Sequence, residues 1–98
     1  MTDHKAILQA GLAKAIQPAK KIGCCRVYVT FDKADAKGVE KAAANLGKRF
    51  QKKAHYGLSN ALYVGYDNCD GVAIARAEAI QAEFAAKNIG CCIEYCGD

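Results

Sequence analysis

Trp is absent from this 98-residue chain, and Met and Pro each occur once. With one Pro to interrupt them, the elements should be joined by few and short loops. No apolar run approaches the roughly 20 residues that a membrane-spanning helix needs. The opening stretch, MTDHKAILQAGLAKAIQP, lacks a signal-peptide layout, because an acid precedes an apolar segment that polar residues interrupt. A cytoplasmic protein with no membrane partner is the expectation. Thiols stay reduced in that compartment, so the six cysteines are expected to be free.

The missing motifs narrow the chemistry. No Cys-x-x-Cys spacing occurs, which removes the standard zinc and thioredoxin signatures. Neither standard Gly-rich phosphate loop is present. His4 and His55 stand in no triad or metal spacing. No catalytic residue and no cofactor is assigned, and the protein is expected not to be an enzyme.

Hydrophobic residues make up 52% of the chain and charged residues 24%, an ordinary globular balance. The length suits one α/β domain over residues 1–98. The chain begins with Met, and a complete stand-alone domain is expected. Its net charge of +4 is unevenly spread: residues 1–55 hold 12 Lys and Arg against 4 Asp and Glu, whereas residues 56–98 hold 2 against 6. Such a split points to a basic surface for an acidic partner, or to head-to-tail self-association.

An internal repeat organises the chain. RVYVTFD (26–32), ALYVGYD (61–67) and CIEYCGD (92–98) are β-prone, carry Tyr and end in Asp. YVTFDKAD and YVGYDNCD start 35 residues apart, and KKIGCC and KNIGCC precede the first and third segments. A helix-like stretch leads into each: 3–17, capped by Thr2 or Asp3 and ended by Pro18; 35–54, capped by Asp35; and 70–88, capped by Asp70. In the second, Val39, Ala42, Ala43, Leu46, Phe50 and Ala54 share a face, with Gly47 a weak point inside the helix. The third carries a smooth ridge of Ala75, Ala79, Ala82 and Ala86, suited to packing within the domain or against another copy in a homodimer.

Helical crossovers favour parallel strands. The expected fold is therefore αβαβαβ, a three-stranded, mostly parallel sheet with three helices packed on it; a ferredoxin-like mixed sheet is the alternative. Val27, Val29 and Phe31 alternate with Arg26, Tyr28 and Thr30, so one sheet face should be open or partly covered.

Three sets of residues are candidates for function. Lys37, Lys41, Lys48, Lys52 and His55 fall within about 60° on the second helix, flanked by Arg49. Together with Arg26, Tyr28 and Tyr63 on the open sheet face they form a candidate partner-binding surface. An acidic protein is the preferred partner. Nucleic acid is the alternative, since Tyr rings stack bases, but no RNP-type aromatic consensus is present. Asp32, Asp67 and Asp98 would share the rim of a parallel sheet, with Asp35 and Asp70 just beyond, and Asp32, Asp67 and Asp70 are weak metal candidates; capping is the stronger role for them. Cys25 and Cys91, the other weak metal candidates, would meet on the buried face if the outer two strands were neighbours, although packing is their stronger role, and Cys69 would be exposed.

The resulting expectation is a non-enzymatic regulator or inhibitor that docks on a protein. Small inhibitors of host defence encoded by phages or mobile elements share this profile, by analogy only. A metal- or thiol-dependent protein using the Asp rim or the Cys pairs is the third expectation.

Overall fold

The computed structural model describes residues 2–20 and 23–97. Period-2 alternation and β-branched or Tyr residues put the three Tyr-bearing segments into strands β1 (Cys24–Phe31), β3 (Ser59–Asn68) and β4 (Cys91–Gly97). The helices are α1 (His4–Ala13), α2 (Lys33–Asn45) and α3 (Val72–Ala85). The fourth strand, β2 (Phe50–Lys53), lies within the stretch expected to be helical as far as residue 54.

Gly47 explains that difference. It takes a φ of +69°, which a residue without Cβ adopts at little cost. The Lys48 N–H then returns to the Ala43 carbonyl at 2.8 Å, and the Gly47 N–H to that of Ala44 at 3.3 Å. This Schellman arrangement ends α2 and frees the following residues to extend. At the other end Asp32, not Asp35, occupies the N-cap position.

The extra strand inverts the topology. β2 and β3 form a hairpin, so β3 and β4 run against β1 and β2, and the sheet order is β2-β3-β1-β4 with every pairing antiparallel. The protein is thus a small compact α/β domain with three helices and a four-stranded antiparallel sheet. A three-stranded parallel sheet is not formed, and the sheet is not mixed. The order β1–α2–β2–β3–α3–β4 is a split βαβ connectivity, and α1 precedes it.

Val27, Val29 and Phe31 face the helices and pack with Val39, Leu62, Ile74, Ile80 and Phe84. The Phe31 and Phe84 rings meet edge-on with centroids 4.9 Å apart. The opposite face is partly covered, by its own hairpin. The short turn His55–Gly57 curls over it, Ala54 and Leu58 pack against Tyr28, Ala61 and Cys96, and the Tyr56 hydroxyl donates to the Gly97 carbonyl at 3.0 Å.

Helix α1 packs on α2 and α3. Its N-cap is Asp3, whose carboxylate accepts the Ala6 N–H at 3.0 Å. It ends earlier than Pro18 implied: the Arg76 guanidinium donates to the Gly11 and Lys14 carbonyls at 2.7 and 2.6 Å, satisfying its last turn. The two helices touch closely at Gly11, where an added Cβ would stand 2.8 Å from Ile80 Cα. Gly11→Ala should therefore lower the thermal midpoint, although Ala is the better helix former by about 1 kcal/mol, because overpacking costs about 1–3 kcal/mol. A higher midpoint in a thermal melt would show that α1 has room to spare there.

Candidate docking surface

Because α2 stops at Asn45, the expected Lys stripe does not lie on one helix. Lys37 and Lys41 are on α2, Lys48 and Arg49 fall between α2 and β2, Lys52 is on β2, and His55 is on the exposed hairpin turn. The hairpin regroups them. Lys37 and Lys52 line a hollow between α2 and β2 together with Lys33, Ala36, Glu40, Phe50 and Asn60. Lys41 turns toward a second hollow beside the start of α1, lined by Asp3, His4, Lys5, Gly38 and Asn45.

Alternation along β2 decides which cation faces where. Phe50 packs into the main core, so Phe50 and Lys52 lie on the helix side. Gln51 pairs with Ala61, a member of the cluster on the other face, so Gln51 and Lys53 lie on the open side. β2 is an outer strand, and with Lys48 and Arg49 just before it the α2–β2 edge is densely cationic. Among the described residues the ion pairs are His4–Asp35 at 3.0 Å and Lys14–Glu83 at 3.5 Å. Neither neutralises this edge. Lys33, Phe50, Lys53 and Asn60 were missed by reading a single helix; the Gly47 stop, followed by alternating Phe50 and Lys52, is the signal that would have found them.

The sheet-face residues are placed differently from one another. Tyr28 is 2% exposed, its ring centroid 5.3 Å from that of Tyr63. Burial, with the nearby Cys96, raises its pKa. A ring in that position offers no platform for a base. Tyr63 and Arg26 are half-buried, and Arg26 stands opposite Tyr66 on one side and Cys96 on the other.

The weak metal candidates are dispersed. Asp32 follows the end of β1, whereas Asp67 pairs with Cys25 at its start, so no common Asp rim exists; Asp98 lies outside the described residues. Asp67 is fully buried and accepts the N–H groups of Asp70, Gly71 and Ile74 at 3.3, 3.0 and 3.1 Å. Burial pushes its pKa up, but bonds from those groups and from the Gly23 N–H outweigh it and hold the carboxyl below its ordinary value. Its oxygens cap α3, while Asp70 accepts the Val72 N–H at 3.1 Å. Among the described residues no group of three or more His, Cys, Asp or Glu could hold a metal ion.

The cysteines also depart from expectation. Cys25 stands opposite Gly97 and Cys91 opposite Phe31, at opposite ends of the β1–β4 ladder, so these two do not meet. Cys69 is not a free thiol; it forms a disulfide with Cys24, and Cys25, Cys91, Cys92 and Cys96 stay outside that bridge as thiols. Burial, with Cys92 beside it, pushes the Cys91 thiol up to about 11, and burial with the Glu94 charge raises Cys96. Both are poor nucleophiles near neutrality, since the thiolate is the reactive form.

No protein-family model, curated protein or solved structure matches this chain.

Proposed function

We propose that this protein is a non-enzymatic binding module that docks on an acidic protein partner through its α2–β2 edge and acts as a regulator or inhibitor of that partner. The observation that carries this reading is the convergence of Lys33, Lys37 and Lys52 on one hollow beside Phe50, with Glu40 the lone acid in its lining. Cations steer an acidic surface into place, and Phe50 supplies an aromatic surface to bury, a residue type enriched at protein interfaces. Burial of Tyr28 weighs against base stacking on the sheet, so the protein partner is preferred over nucleic acid.

The test is affinity capture from the native host with the wild-type chain and with Lys37→Glu/Lys52→Glu. The expected result is retention of an acidic protein by the wild type and at least about tenfold less by the variant, since reversing two interfacial charges costs more than about 1.4 kcal/mol. Equal capture by both chains would reduce the lysines to a solvated face. A mobility shift with duplex or single-stranded nucleic acid, and no protein captured, would transfer the surface to the alternative ligand.

A further inference from the structure

The two outer strands differ in a way that bears on what occupies the basic edge. β2 has four residues, two of them Lys52 and Lys53. Lys on a short edge strand discourages addition of a like strand. β4 has seven residues, Cys91–Gly97, and Glu94 is its one charged side chain. No described strand lies on its outer side. Burial, and then the charge of Glu78 on α3, raise the Tyr95 phenol, so both faces of the β4 edge carry an acid: Glu94 on the open side, Glu78 on the helix side. Tyr95 is 39% exposed between them.

Strand direction makes these edges compatible. β1 is antiparallel to β3 and to β4, and β3 is antiparallel to β2, so β2 and β4 run in opposite directions. A second copy displaced sideways in the plane of the sheet would bring its β2 beside the first copy's β4 in antiparallel sense, with both helix layers on the same side. We propose that this chain associates head to tail, the acidic β4 edge of one copy adding as a strand to the basic β2 edge of the next. The inference rests on reading the α2–β2 edge as a docking surface, as above, and names an occupant for it.

Charge selects this pairing over the two symmetric ones. β2 against β2 would set lysines opposite lysines, and β4 against β4 would crowd Glu94 and Glu78 with their copies. Like charges directly opposite destabilise a ladder, and opposite charges stabilise it. A register with Glu94 opposite Lys53 matches the open sides and places Tyr95 opposite Lys52 on the helix sides, where Glu78 also lies. The contact is heterologous, so it leaves one free edge at each end and grows with concentration. It also covers the cations proposed to hold an acidic partner, so assembly and partner capture exclude one another.

Sedimentation velocity of the full chain tests this. The expected result is a weight-average mass that rises with protein concentration at low salt and falls toward the monomer at high salt. Lys53→Glu and Glu94→Lys should each weaken association about tenfold, as one cross-strand attraction becomes a repulsion. Mixing the two variants in equal amounts should restore it, because each then offers the other a matched edge; this recovery also shows that both variants are folded. A wild-type chain that stays monomeric at every concentration and salt overturns the inference, as does a closed dimer that neither substitution affects. If the chain is monomeric yet Lys37→Glu/Lys52→Glu still loses an acidic protein, head-to-tail association fails while the docking reading stands.

Discussion

Replacing Asp67 with Ala should be among the most destabilising single changes in this protein. The side chain is fully buried, and its two oxygens accept three N–H groups at the start of α3, from Asp70, Gly71 and Ile74. These are donors that a helix N-terminus leaves without an intrahelical partner. Gly71, at a φ of +75°, turns the chain so that they converge on one carboxylate. Ala would leave the buried Gly71 and Ile74 donors stranded, and each buried unsatisfied donor costs about 1–3 kcal/mol. The expected loss is about 3–5 kcal/mol, a large share of the roughly 5–15 kcal/mol that holds a small domain together. Asn, which keeps one acceptor oxygen, should lose less.

The same site sets an acid limit. Because the folded-state pKa of Asp67 is depressed, its contribution is fully present above the unfolded carboxylate value of about 3.9 and is lost as pH falls through the lower folded value. Urea unfolding of wild type, Asp67→Ala and Asp67→Asn at neutral pH, and of wild type across the acid range, measures both effects. A loss under about 1 kcal/mol for Asp67→Ala would mean that water or a backbone shift satisfies the donors in its place.

The three Tyr-bearing segments, the alternation that puts Val27, Val29 and Phe31 inward, and the capping role of Asp67 were legible in the sequence, because each follows from local periodicity or turn chemistry. One short segment was not. Leu46, Phe50 and Ala54 extend the helical spacing of Val39, Ala42 and Ala43, so residues 46–54 read as more helix, although Gly47 ends it. Overlooking β2 has consequences well beyond its four residues. Helical crossovers alone would leave β1, β3 and β4 parallel; the added hairpin reverses β3 and β4. With that reversal the Asp rim separates, the Cys pairs move to opposite ends of a ladder, and the lysines regroup from one helix face onto an edge shared by α2 and β2. The mutual placement of these side chains thus depended on a non-local pairing that periodicity does not encode.

The disulfide belongs to the same class of fact, since no local pattern joins Cys24 to Cys69, and it carries the second large effect. The bond spans 45 residues and brings Cα atoms to 4.9 Å, a normal separation for a bridge. It ties the first residue of β1 to the β3–α3 turn, and that turn holds Cys69 at a φ of +60°, a left-handed conformation that residues with a Cβ rarely adopt without support. The Cys69 N–H also bonds the Gly23 carbonyl at 3.3 Å. Closing a loop of this length restricts the unfolded chain by about 4 kcal/mol in the chain-entropy account. Cys24→Ser/Cys69→Ser, or reduction by an added dithiol, should therefore lower stability by about 2–4 kcal/mol. Thiol counting under denaturing, non-reducing conditions should find four thiols, those of Cys25, Cys91, Cys92 and Cys96, rising by two after reduction. The loss should be read together with Asp67, because both features fix the same turn: the bridge restrains its outer side and the carboxylate its buried side. Residues this close couple, so Asp67→Ala in the reduced protein should cost measurably less than in the oxidised one. Strictly additive losses in a double-mutant cycle would show that bridge and carboxylate stabilise the fold independently, with the turn held by its backbone alone.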